Sequence, residues 1–111
     1  MSMNCGQNAA ALDRIRKDLK EIRYYYTHKE TFNLAAQNGV NSSVTMKVRQ
    51  FNRIVESAPP MLFDLYVSLY MGDQLQQAFA DERGLTPNYV KDLHNELCLF
   101  FQQALNKTGG I

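Results

Sequence analysis

Apolar residues recur along this chain at helical spacing, separated by a few sharp stops. Leu12, Ile15, Leu19, Ile22 and Tyr26 are spaced 3, 4, 3, 4, with charged residues on the other faces. The stripe continues loosely through Phe32 and Leu34 to Asn38-Gly39. Gly39 suits the left-handed position that closes a helix, with Val40 folding back on Ala35. The pattern predicts a first helix over residues 10–38, unbroken or interrupted near Thr27 or Lys29. Asn41-Ser42-Ser43 offers a serine cap for a second helix, in which Val44, Val48, Phe51 and Val55 repeat at 4, 3, 4. Ser57-Ala58-Pro59-Pro60 ends it, because the residue before a proline avoids helical angles. Pro60 suits the first turn of a third helix, whose broad apolar face is Met61, Leu62, Leu65, Tyr66 and Leu69, up to Gly72.

Asp73 with Gln76 three residues on reads as a capping box for a short fourth helix ending at Arg83-Gly84. Thr86 can cap a fifth helix and Pro87 suits its first position. Val90, Leu93, Leu97 and Phe100 or Phe101 form its apolar face as far as Leu105, whereas Leu99 falls off that face. No strand-like alternation is present. The expected fold is all-α, a five-helix single domain over 1–111. Basic helices occupy 10–58, a bundle fills 60–105 with a helix-turn-helix at 73–105, and 106–111 form a loose tail.

A chain of 111 residues supports one modest core and is short for a two-domain enzyme. No apolar run approaches the roughly 20 residues that span a bilayer. The N-terminus has no basic region followed by an apolar stretch, so no signal peptide is expected. Cys5, in an N-terminus expected to fray, and Cys98, on an apolar helical face, are the two thiols; an exposed and a core thiol are expected rather than a disulfide. His28 and His94 have no zinc-ligand spacing with them, so neither a metal nor another cofactor is expected.

Charge is uneven. Residues 1–46 hold six Lys/Arg against four Asp/Glu, residues 47–63 three against one, and residues 64–111 three against six. The basic side of the chain is its front half.

Residues 76–93 carry the most informative spacing. A helix-turn-helix needs a small residue where its second helix crosses the first, and Ala80 fits. Four residues later its turn needs positive φ, and Gly84 fits. Leu85 suits the buried turn position, and Val90 and Leu93 lie six and nine positions after the glycine. Arg83 departs from the pattern, standing where an apolar residue is usual. In such a motif the outward residues of the second helix enter the major groove: Thr86, Asn88, Tyr89, Lys91, Asp92 and Asn95. Asn reads adenine edges, and Thr or Tyr contacts phosphate or a thymine methyl. Gln76, Gln77 and Thr86 are the candidate anchors on backbone phosphates.

The half containing this motif is net negative, and phosphate neutralisation supplies most non-specific affinity. Supporting contacts are therefore expected from Lys47, Arg49, Arg53 and the cations of the first helix, or from a dimer with two half-sites. The alternative is that the motif docks on protein. Catalysis is not expected, because no Ser/His/Asp, Cys/His or Gly-rich phosphate loop has recognisable spacing. Asp81 and Glu82 are adjacent and diverge on a helix, Asp92 and Glu96 read as a solvated edge, and His94 as a surface or rim residue. The apolar stripe from Leu12 to Tyr26 and the apolar end of the last helix predict a homodimer.

Arg23-Tyr24-Tyr25-Tyr26 followed by Lys29-Glu30 resembles the front of RinA-type phage transcriptional regulators. Ser57-Ala58-Pro59-Pro60 followed by Leu65-Tyr66-Val67-Ser68-Leu69-Tyr70 does so too, as do Gly84, Thr86-Pro87, Tyr89-Val90 and Leu93 at the expected distance. The likeness covers roughly residues 20–105, and the related ArpU-type regulators share the layout. It implies a temperate-phage or prophage protein in the cytoplasm of a Gram-positive bacterium. It implies activation of late or packaging genes through double-stranded DNA, with a helix-turn-helix similar to the sigma-factor domain that reads promoters. RNA polymerase or a sigma factor is the protein partner considered beside DNA, and a small terminase-like packaging subunit is a further alternative.

Overall fold

A computed structural model describes the backbone of residues 2–39 and 42–109 and the side chains of 10–39 and 42–107. The described residues form helices without a strand: α1 (Ser2–Thr27), α2 (Lys29–Gln37), α3 (Ser43–Val55), α4 (Pro60–Tyr66), α5 (Gln76–Arg83) and α6 (Pro87–Gly109). A π-helical turn, Val67–Met71, prolongs α4.

The expected five helices are thus six, because the first breaks at His28. No glycine or proline causes the break. The Thr27 hydroxyl donates to the Tyr24 carbonyl at 3.0 Å, and the His28 ring stacks on Tyr24 with centroids 4.0 Å apart. Tyr25, Tyr26 and Phe32 crowd the same corner. The outer limits also differ from expectation: α1 begins at Ser2, and α6 runs to Gly109 through most of the anticipated tail. Val40 lies outside the described residues, as does the side chain of Cys5. Gly39, at φ 82°, closes α2 as its sequence position suggested.

Several stops act locally as expected. Ser42 caps α3, its Oγ accepting from the Thr45 N–H at 3.1 Å, and Pro60 opens α4. Gly72 ends the π turn, its N–H donating to the Val67 carbonyl five residues back at 2.8 Å.

One core joins the helices. Ile15, Leu19 and Ile22 bring the middle of α1 against Val48, Phe51 and Val55 of α3. Leu62, Leu65, Tyr66, Leu69 and Tyr70 make the α4 segment the most continuously buried stretch; Met61 and Phe63 lie off its inner face. Phe79 and Ala80 of α5, and Val90, Leu93, Leu97, Cys98 and Phe101 of α6, complete it. Phe51 and Phe101 meet with ring centroids 4.5 Å apart, closing α3 onto α6. The wholly buried Tyr66 keeps its hydroxyl satisfied by donating to Asn52 Oδ1 at 2.6 Å, and Asn52 Nδ2 donates on to Tyr26 Oη at 2.8 Å.

α2 contributes no buried residue to this core, and Leu34 on it is 60% exposed. The radius of gyration, 15.2 Å, exceeds the roughly 13 Å expected for a compact chain of this length.

Candidate functional site

The segment from Gln76 to Asn95 is two helices joined by a turn at Gly84, and local chemistry fixes its geometry. Gly84 has φ 66° and ψ 33°, the left-handed conformation that glycine adopts without penalty. The Leu85 N–H reaches back to the Ala80 carbonyl at 2.8 Å, and the Gly84 N–H to that of Asp81 at 3.4 Å. These two bonds are the Schellman closure of a helix. Leu85, just beyond, folds onto the core. Thr86 then starts α6: its Oγ1 accepts from the Tyr89 N–H at 3.1 Å, and Pro87 takes the first helical position. Ala80 and Val90 are wholly buried and Leu93 nearly so, which locks the inner faces of α5 and α6 together.

The start of α5 differs from the expected capping box. Asp73 adopts φ 57° and does not cap; α5 begins at Gln76 with no side-chain cap. Asp73 is taken instead by Arg23 of α1, whose Nε donates to Asp73 Oδ1 and whose Nη2 donates to the Gln74 carbonyl, each at 2.8 Å. Gln74 in turn donates to Glu82 Oε2 at 2.6 Å. A cation fifty residues upstream positions the entry to α5, and no local pattern in residues 73–76 announces it.

Arg83 behaves as the apolar residue its position calls for. Its guanidinium carbon lies 3.9 Å from the Phe79 ring centroid, so the cation covers an aromatic face. Two of its nitrogens form a fork on Asp64 of α4 at 2.8 and 3.0 Å. The third, Nη1, is buried without a hydrogen bond, 3.6 Å from Glu82 Oε1.

Around this frame Gln76, Gln77, Thr86, Asn88, Tyr89, Lys91 and Asp92 are all exposed. Helical spacing from the buried Val90, Leu93 and Leu97 puts Asn88 and Asp92 along the centre of the outer face, with Tyr89 and Glu96 on one flank and Lys91 on the other. Asn95 is half-buried, and its Oδ1 accepts from Arg16 of α1 at 3.4 Å. The supporting cations divide. Lys47 is held at 2.8 Å by both Asp18 and Glu21 of α1. Burial alone would pull its pKa down, but the hydrogen bonds and charges of those carboxylates outweigh this and raise it. Arg49 and Arg53 are exposed and make no ion pair among the described residues.

His94 is half-buried, a rim residue as expected, but it is engaged in a way its position did not suggest: its Nε2 meets the Tyr70 hydroxyl, and its Nδ1 lies 3.9 Å from Cys98 Sγ. Burial, with a contribution from the Arg16 charge, holds its pKa below the ordinary value. Burial also pushes Tyr70 up and the Cys98 thiol up to about 11. The hydroxyl and the imidazole share one hydrogen bond, and the thiol stays protonated and poorly nucleophilic at neutral pH. The cluster pins α6 to the π turn. Among the described residues no three His, Cys, Asp or Glu side chains gather to hold a metal ion, and no helix is long and apolar enough to cross a membrane.

Compared with protein-family models, with curated proteins and with solved structures, the chain matches none.

Proposed function

We propose that this protein is a DNA-binding transcriptional regulator of a phage or prophage, an activator of late or packaging genes, whose α5–Gly84–α6 unit is a helix-turn-helix. One observation carries the reading. The Schellman turn at Gly84 buries Ala80, Val90 and Leu93 while leaving Gln76, Gln77, Thr86, Asn88, Tyr89, Lys91 and Asp92 exposed. In this reading Asn88, Tyr89, Lys91, Asp92 and Asn95 face base edges. Gln76, Gln77 and the Thr86 turn anchor phosphates. Asn95 must give up its bond to Arg16 to do so, whereas Asn88 is available without rearrangement. Arg49 and Arg53 are the supporting cations; Lys47 would first have to leave two carboxylates. The reading places the protein in the cytoplasm of a bacterial host and gives it a homodimeric state, for two half-sites.

The test is a salt-titrated binding assay with fragments upstream of neighbouring genes and a scrambled duplex as control. Selective binding near about 150 mM salt is expected, lost in the Asn88→Ala/Lys91→Ala double variant with helicity intact. Undiminished selectivity in that variant overturns α6 as the reading helix. Sedimentation at tens of micromolar checks the dimer, and a monomer alone overturns it.

A second reading rests on the charge of the same surface. Asp92 at the centre of the outer face of α6 and Glu96 on its flank are exposed, as is Asp81 on α5, and Lys91 is the exposed cation on the outer face of the same helix. This composition suits docking on a basic protein surface such as RNA polymerase or a sigma factor. Purified polymerase holoenzyme retained by the protein, and released by Asp92→Asn/Glu96→Gln, would establish it. A small terminase-like packaging subunit would instead form a ring in solution.

A further inference from the structure

The cations that matter for a polyanion are those not already neutralised within the fold, and five of the eight among the described residues sit on α1 and α3, the others being Lys29 on α2 and Lys91 and Lys107 on α6. α1 and α3 together carry eight Lys/Arg and three Asp/Glu, net +5; residues 60–109 carry three and six, net −3. Arg16 is engaged by Asp13 and Asn95, Arg23 by Asp73 and Gln74, and Lys47 by Asp18 and Glu21. Arg14, Lys17 and Lys20 on α1, and Arg49 and Arg53 on α3, are exposed and make no ion pair among the described residues. The Lys47 bridge seats α3 along the flank of α1 that carries Asp18 and Glu21. Arg14 lies on that same flank, one turn before Asp18, and Lys17 borders it.

α3 also bears an open groove of about 720 Å³. Arg49, Arg53, Gln50 and Ser43 line it with donors and Met46 and Ile54 with apolar surface; Lys47 lines it too, its ammonium already held by Asp18 and Glu21. Arginine with neutral donors is the chemistry of phosphate recognition.

We infer that the α1–α3 face, through Arg14, Lys17, Lys20, Arg49 and Arg53, takes the phosphate backbone of nucleic acid. The outer face of α6 adds little to non-specific affinity. This deepens the DNA-binding reading and shares its premise that the ligand is nucleic acid, but it does not depend on α6 reading sequence. A second copy presenting its acidic α5–α6 surface is the competing occupant. Five exposed cations without ion pairs on two helices favour a continuous polyanion over the dispersed exposed acids Asp81, Asp92 and Glu96.

The experiment measures affinity for a random-sequence duplex against salt, for the full chain and three double variants. These are Arg49→Gln/Arg53→Gln, Lys17→Gln/Lys20→Gln and Asn88→Ala/Lys91→Ala. Glutamine keeps helix propensity close to that of Arg and Lys, and far-UV circular dichroism checks each fold. Each phosphate neutralised contributes about −0.9 to the slope of log affinity against log salt. Each α1 or α3 variant should therefore be shallower by about 1.8. Its loss of affinity between about 50 and 200 mM salt would then be roughly 12-fold smaller. The α6 variant should shift the slope by less than 1, a single cation's share. A slope flattened by the α6 variant and untouched by the other two overturns the inference. So does failure of the unmodified chain to bind random duplex at low salt. So does self-association abolished by Arg49→Gln/Arg53→Gln with duplex binding unchanged, which gives the face to a second copy. Expected slopes without preference for any upstream fragment would sink the helix-turn-helix reading and leave this one standing.

Discussion

Replacing Gly84 and Gly72 by alanine, one at a time, separates two physical reasons for a glycine at a helix end. A Cβ at Gly84 meets nothing within 4 Å, but its φ of 66° lies where L-residues are strained. That strain costs about 1–2 kcal/mol, and the narrower unfolded ensemble of alanine offsets about 0.4–1 kcal/mol of it. The net destabilisation is about 1 kcal/mol, or roughly 4 °C in Tm for a domain of this size. Gly84→Asn should cost less, because asparagine tolerates the left-handed region. Gly72 is the reverse case. Its φ of −98° suits any residue, but a Cβ would lie 2.9 Å from the Ser68 carbonyl oxygen and 3.4 Å from that of Val67. Both are backbone atoms already bonded, Ser68 to the Gln74 N–H and Val67 to that of Gly72. The π turn must move to relieve the clash, and overpacking of this kind costs about 1–3 kcal/mol. Thermal and urea unfolding followed by far-UV circular dichroism should rank the variants Gly72→Ala, Gly84→Ala, Gly84→Asn from worst to mildest. Gly84→Asn as damaging as Gly84→Ala, or Gly72→Ala milder than both, refutes the reasoning.

Asn52→Ala leaves the buried Tyr66 hydroxyl without its acceptor and should cost about 1–3 kcal/mol in urea unfolding, and less in a Tyr66→Phe background. Arg83→Met should stay within about 1 kcal/mol of the parent, because methionine still covers Phe79 and Asp64 is partly solvated; Arg83→Ala should be clearly worse, and equal losses would assign the effect to the ion pair. His94 binds its proton near the ordinary 6.5 when unfolded and only at lower pH when folded, facing Tyr70, Cys98 and the Arg16 charge. Its contribution to stability is therefore complete above 6.5 and is lost as pH falls through that value toward the folded pKa. Urea midpoints measured from about pH 7.5 down to 5 should drop, and His94→Gln should flatten the decline; an equally steep decline in that variant would assign it to other groups.

What was legible in the sequence was whatever a few neighbouring residues decide. Ser42, Pro60, Gly84 and Thr86 each act within one turn, and each acts as its position suggested. The 3–4 spacing of apolar residues likewise picked Ile15, Leu19, Ile22, Val48, Phe51, Val90 and Leu97 for the core. Most of the misses involve partners far along the chain. Asp73 reads as a cap until Arg23 claims it, and Lys47 reads as a free cation until Asp18 and Glu21 close on it. Arg83 reads as a flaw in an apolar pattern until Phe79 and Asp64 receive it, and His94 as surface or rim until Tyr70 packs across from it. The break at His28 falls where the sequence allowed an interruption, near Thr27 or Lys29, but carries no Gly or Pro signal; stacked aromatic side chains surround it. In the candidate site the exposed positions were legible from periodicity, whereas the charges already spent inside the fold were not.

The π turn at Val67–Met71 constrains how this gene can vary in length. Its wide loop, closed by the bond from Gly72 to Val67, holds one residue more than an α-helical turn would. Deleting any one of those five residues would make the helix more regular and leave its composition almost unchanged. Because a π turn is an α-helical turn carrying one extra residue, the shortened helix would still deliver the downstream chain in nearly its present direction. Relatives of this chain should therefore tolerate loss of a single residue between Val67 and Met71 better than a deletion in the regular turns of α3 or α6, with larger length variation falling around Gly39, where α2 hangs outside the core.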